Sequence, residues 1–181
     1  MGNWQLDPYH TQVEFAAKHL GMMTVRGHFA DVSAVADIDA ENPDKSTVEV
    51  TIQTASIHTN NPMRDNDLRS SNFLEVEKFP TITFRSTRVE ASGTDRYTLS
   101  GDLTIKDTTH PVTLQVVKYG EFNDEMMGHR IAYSAETQIN RKDFGLTFNM
   151  VLDGKFVVSD EIQIMIEGEL VEQQPAEATD S

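Results

Sequence analysis

The chain has 181 residues, no cysteine, 38% hydrophobic content and a formal net charge of −14. That length suits one domain with a sizeable core, and the missing cysteine excludes disulfides, thiolate chemistry and cysteine-based zinc sites. A charge of that sign repels nucleic acid and anionic membrane surfaces, so neither is expected as a partner.

The opening MGNWQLDPYH lacks both the basic and the apolar region of a signal peptide, and Leu6 stands where myristoylation needs Ser or Thr. No apolar run reaches transmembrane length, so no stable membrane insertion is expected. The expected location is the cytoplasm, or the periplasm or exterior if the start is processed. Trp4–Leu6 reads as a short extended lead-in that Asp7-Pro8 ends. His10–His19 then alternates, with Val13, Phe15, Ala17 and His19 on one face, as in a half-buried strand. Val25–Ala30 continues the pattern. The phase shifts by Val32, Ala34, Ala36 and Ile38, which predicts a bulge or twist near Ala30-Asp31.

After the turn Glu41–Asp44, Thr47–Thr54 alternates through Val48, Val50 and Ile52. Between Asn60 and Phe84 the alternation stops. Asn60 or Asn61 can cap free amides with Pro62 at the first helical position, and Met63, Leu68, Phe73 and Leu74 suit one or two helical turns. A short helical insertion near residues 61–72 is therefore expected, placed like a lid. The remaining strands are Thr81–Val89, Tyr97–Lys106, Pro111–Phe122, His129–Asn140 and Glu161–Val171. Their turns fall at Ala91–Asp95, Asp107–His110 and Asn123–Gly128. One domain over residues 1–171 results, followed by a flexible acidic tail over 172–181.

About eight antiparallel strands, each with one apolar face, must close into a barrel or stack as a sandwich. Eight strands is also the size at which a barrel interior either just fills or holds one small ligand. No HExxH, GxSxG, phosphate-binding glycine loop or dinucleotide fingerprint is present, and His10 and His19 fall on opposite faces by parity. No catalytic residue, metal site or cofactor is assigned.

Four motifs carry a family resemblance. The first is Asp7-Pro-Tyr-His-Thr-Gln-Val-Glu-Phe15 with His19-Leu20 and Val25-Arg-Gly-His-Phe29. The second is Arg64-Asp, Asp67-Leu-Arg-Ser70 and Phe73, closing on Phe79-Pro-Thr-Ile-Thr-Phe84. The third is Gly101-Asp-Leu-Thr-Ile-Lys106 with Thr109-His-Pro-Val112 and Leu114. The fourth is Asn140-Arg-Lys-Asp-Phe-Gly145. In order and over nearly the whole chain, they resemble the YceI-like, polyisoprenoid-binding and lipocalin-like proteins of bacteria. One departure is Asp107, where that family usually has Gly, and it is expected to alter only a turn.

The resemblance implies an all-β fold, an extended eight-stranded antiparallel β-barrel whose long apolar interior takes an isoprenoid or other long-chain amphiphile. The implied function is carriage, storage or sequestration of that lipid; an enzyme acting on it and a filled barrel serving as an interaction module are the alternatives. A homodimer is compatible with the family. Candidates for the apolar cavity are Phe15, Phe29, Ile52, Leu68, Phe73, Phe79, Ile82, Phe84, Leu103, Ile105, Leu114, Val116, Ile131 and Tyr133. Arg26, His28, Arg64, Arg69 and Arg141 are candidates for meeting a head group or fixing the lid, and for Arg64 and Arg69 pairing with Asp65, Asp67 or Asp143 is the simpler role. Seven methionines, Met22, Met23, Met63, Met126, Met127, Met150 and Met165, are expected to fill core gaps or line a variable tail site.

Overall fold

Twelve strands and one α-helix make up the computed structural model, which describes residues 2–174. In chain order they are β1 (Gly2–His19), β2 (Met23–Phe29), β3 (Val32–Ile38), β4 (Thr47–Gln53), β5 (Ile57–His58), α1 (Pro62–Arg69), β6 (Thr81–Gly93), β7 (Arg96–Ile105), β8 (Thr108–Asp124), β9 (Gly128–Asn140), β10 (Val151–Leu152), β11 (Lys155–Phe156) and β12 (Glu161–Glu172). Strands β12, β9, β8, β7, β6, β4, β3 and β1 are neighbours in that order, and β1 pairs again with β12. That last pairing closes an eight-stranded antiparallel barrel and leaves its seam without free edges. The second half of β1 also carries β2 on its other edge, from Val13↔Phe29 to His19↔Met23.

The alternation forms these strands because each has one face to bury. Ile82 and Phe84 are buried while Thr83 and Arg85 are exposed; Leu103 and Ile105 are buried while Asp102 is exposed. Two close approaches need glycine. A Cβ on Gly27 would collide with the Phe15 ring across the β1–β2 pair, and one on Gly101 would collide with the Phe84 ring. Gly101 also faces a register shift in β6 between Ser86 and Arg88.

Several expected boundaries move. Asp7-Pro8 does not end a strand: β1 runs through it, and a shift between Leu6 and Thr11 absorbs the extra residues against β12. There the Asp7 carboxylate accepts the Tyr9 N–H at 2.9 Å and the Asp7 carbonyl accepts the Thr11 hydroxyl at 2.7 Å, so the turn chemistry is realised as a bulge. The phase change near Ala30-Asp31 is a true break, with β2 and β3 pairing with opposite halves of β1. The turn expected over Asp107–His110 shrinks to Lys106-Asp107, since Thr108 already pairs with Ile105. Lys106, not Asp107, takes the left-handed conformation there, at φ +58°. Pro111 sits inside β8, where pairing to β9 begins only at Gln115, so its missing N–H costs no bond on that side. Glu172, expected in the tail, is the last residue of β12 and pairs with Trp4. Residues 175–181 lie outside the described part.

Candidate functional site

The barrel interior is hollow. A cavity of about 800 Å³ runs along the axis, bordered by Leu68, Phe73 and Leu146 at the α1 end and by Trp4, Ala40 and Pro43 at the end where Trp4 pairs with Glu172. Every apolar candidate named from the sequence lines it except Phe79. Phe79 lies outside the barrel with its ring beneath two ammonium groups, Lys78 Nζ at 5.0 Å and Lys106 Nζ at 5.6 Å from the centroid. Its backbone carbonyl, which accepts the buried Thr54 hydroxyl at 2.8 Å, is what the fold uses. The residue order Phe-Pro-Thr-Ile-Thr-Phe places Ile82 and Phe84 inward by strand parity; Phe79 precedes the strand, so that parity does not reach it.

The sequence reading missed lining residues whose signal was present. Ile162, Ile164 and Ile166 of β12, and Val48 and Val50 of β4, share parity with assigned neighbours and face the chamber. Trp4 and Tyr97 line it as well. The methionine expectation is corrected: none of the seven borders the chamber, and Met22, Met23, Met63, Met126, Met127 and Met150 are exposed. Most of them stand in turns and loops outside the alternating frame, where a flexible thioether has no core gap to fill.

At the α1 end the cations serve as anchors. Asn61 caps α1, its side chain accepting the Arg64 N–H at 3.1 Å, with Pro62 in the first turn. The helix ends at Arg69, short of residue 72, and Met63 points to solvent. Arg64 donates to the Thr59 hydroxyl and carbonyl, both at 2.8 Å, and Arg69 donates to the carbonyls of Ala55 at 2.9 Å and Ile57 at 2.7 Å. Their partners are thus on the β5 segment, not the carboxylates expected from the sequence. Asp65 is 2% exposed and turns to that segment too, accepting Thr59 N–H at 2.8 Å, the Thr59 hydroxyl, and His58 Nδ1 at 2.8 Å. Burial works to raise its pKa, but the Thr59 and His58 hydrogen bonds outweigh it and hold the carboxyl below its ordinary value.

Arg26 is exposed on β2, and His28 packs edge-on against His58 with centroids 5.6 Å apart; neither borders the chamber. Arg141 does border it and is 2% exposed. It donates to the carbonyls of Ser159 at 2.9 Å, Phe148 at 2.9 Å and Leu146, tying the connection between β9 and β12 over the barrel end. Its Nη2 is buried without a hydrogen bond, 3.5 Å from Asp160 Oδ1, and desolvation lowers its pKa.

The other mouth is polar and acidic. Asp39, Glu41, Glu121 and Glu172 border the chamber there, with Lys118 and His129. Lys118 Nζ pairs with Glu121, and His129 lies 2.7 Å from Glu172 and 3.4 Å from Glu121. The Glu172 contact raises the His129 pKa, and the Lys118 contact lowers that of Glu121. His129 also packs edge-on against Trp4 at 4.8 Å.

Outside the barrel, Asp7, His10 and Glu169 bring ligand-type atoms within 4.8 Å of one another. Arg130 Nη1 already sits 2.6 Å from Asp7 and 3.0 Å from Glu169, so a guanidinium fills the cation's place. Its hydrogen bond is the main reason the Asp7 pKa falls far below the carboxylate range.

Closed walls around a continuous apolar chamber define a hollow antiparallel β-barrel, capped at one end by a short helix. The chain belongs to the YceI-like domain family, which matches residues 4–170. It is 38% identical over 165 residues to protein YceI of Salmonella arizonae, and 37% identical over 164 residues to a UPF0312 protein of Pseudomonas paraeruginosa, in each case covering 91% of this chain and 83% of the relative. Among solved structures, BcnA of Burkholderia cenocepacia superposes with a TM-score of 0.80 at 22% identity, covering 91% of this chain and 98% of that one. A polyisoprenoid binding domain from Saccharophagus degradans superposes with a TM-score of 0.67 at 13% identity, covering 96% of this chain and all of that one, which shows a shared fold. Among the described residues, no helix is long and apolar enough to cross a membrane.

Proposed function

We propose that the chamber binds a long-chain isoprenoid-like amphiphile, a polyprenyl chain, isoprenoid quinone or related lipid, for carriage, storage or sequestration. The observation that carries this reading is the hollow apolar interior of about 800 Å³ running the length of the barrel. Its volume lies toward the upper part of the roughly 300–1,000 Å³ typical of small-molecule sites. Burying ten methylene equivalents at ~0.8 kcal/mol each contributes roughly 8 kcal/mol before ordering costs, which corresponds to about micromolar affinity. A longer tail binds more tightly without needing a strong polar contact.

A filled barrel acting only as an interaction module fits poorly with so large an interior cavity. Lipid turnover would call for a paired nucleophile and base on the chamber wall; what borders it is mostly aliphatic and aromatic, and no hydrogen bond joins Glu14 to Ser134 or Thr137 among its polar residues. The test is solvent extraction and native mass spectrometry of the purified protein, followed by reloading of the stripped protein with polyprenol or quinone. A bound long-chain lipid, or uptake of an offered one, is the expected result. Protein that carries no lipid and takes up none overturns the proposal.

A further inference from the structure

The chamber also carries information on the head group. Each cation bordering it is engaged within the protein. Lys118 pairs with Glu121, and His129 with Glu172. Arg141 donates to three carbonyls, and its remaining nitrogen is sealed beside Asp160. Arg64 and Arg69 are fixed to the β5 segment. Against these stand Asp39 and Glu41 at the mouth, in addition to the two acids that answer Lys118 and His129. Asp39 is held ionised by N–H groups, from Asn42 at 2.8 Å and Glu41 at 3.1 Å.

Four side-chain donors line the chamber with no hydrogen-bond partner among the described residues, Trp4 Nε1 and the hydroxyls of Tyr97, Tyr133 and Ser134. Of these, Tyr133 on β9 stands beside Lys118 of β8 and within the field of Glu121 at the mouth. Burial pushes its pKa up to about 12, so it stays a neutral O–H donor. Tyr97 lines the same stretch from the other side of β8, where it pairs with Val116.

We propose that the chamber selects an uncharged head group bearing a hydrogen-bond acceptor, such as a hydroxyl, carbonyl or amide oxygen, received by the Tyr133 hydroxyl near the acidic mouth. A diphosphate or carboxylate of the same tail is disfavoured, because it would bring negative charge to carboxylates in a partly desolvated setting where every cation bordering the chamber is already engaged and Lys45, at the rim, faces Asp39. The tail supplies the affinity; Tyr133 and the acidic rim set the choice of head. This rests on the lipid-binding reading of the chamber.

The test compares stripped protein binding geranylgeraniol, geranylgeranyl diphosphate and the head-less hydrocarbon squalene, by displacement of a fluorescent fatty probe at pH 7. The prenol is expected to bind at least about tenfold more tightly than the diphosphate, the gap narrowing in high salt. Tyr133→Phe keeps the wall's shape and breaks no intramolecular bond. It is expected to weaken prenol binding about fivefold and to leave squalene unchanged. Diphosphate binding as tight as the prenol's, or a Tyr133→Phe variant with unchanged prenol affinity, overturns the head-group assignment while lipid binding stands. Failure of all three probes to bind, squalene included, overturns the lipid-binding reading itself.

Discussion

Asp65 shows how one residue can hold a lid without touching the chamber. A carboxylate 2% exposed is tolerable only with its acceptor sites filled, and the Thr59 amide, Thr59 hydroxyl and His58 ring fill them. Asp65→Ala strands those donors and is expected to cost about 3 kcal/mol, read as a lower urea midpoint with little change in slope. His129 sets a pH dependence of stability. Its folded pKa is raised above 6.5, so its contribution to stability is complete below pH 6.5 and is lost as the pH rises through the raised value. Melting temperature should fall across that window on the alkaline side, and His129→Gln should flatten the fall; parallel profiles for the two proteins would exclude His129 as its source.

Among the elements, α1 is held more by its anchors than by its own face. Of its residues only Asp65 is buried, while Arg69 reaches two carbonyls of the preceding segment. Removing that reach in Arg69→Ala should loosen the cap locally, by about 1–2 kcal/mol, while the barrel strands keep their stability. Amide hydrogen exchange read residue by residue separates the two: faster exchange confined to residues 63–69 is expected, and uniform acceleration across β6–β9 would show that the cap is integral to the barrel. The strands themselves were largely legible, because Ile82/Phe84, Leu103/Ile105 and Ile162/Ile164/Ile166 announce an inward face by parity alone. Phe79 was not, since it precedes its strand and no period reaches it, and Met63 was not, since a two-turn helix held by its polar anchors leaves most of its faces to solvent.

For the whole molecule, the decisive contact is β1 against β12, which joins residues near both ends of the chain and turns a sheet into a closed chamber. The interior stays open although aromatic as well as aliphatic side chains line the walls, because small residues, Ala36 and Ala135 among them, also take inward positions. Ala135→Trp puts an indole into that space from β9. It is expected to reduce lipid uptake at least about tenfold while changing stability by no more than about 1–2 kcal/mol, since the ring enters a void instead of packed core. Undiminished lipid uptake in a folded Ala135→Trp protein would place the bound lipid away from this wall.

Strand parity, a cap at Asn60 or Asn61 before Pro62 and the absence of cysteine follow from residue types and their local spacing, and they determined by themselves an all-β chain with one apolar face per strand and a short helical interruption. Whether those apolar faces meet one another or surround a space depends on barrel radius and side-chain volumes summed around the ring, which no local period encodes. The partners of Arg64, Arg69 and Arg141 were decided by tertiary structure for the same reason. A guanidinium takes whichever acceptors the fold brings within reach, and here those are mostly backbone carbonyls, with the Thr59 hydroxyl besides.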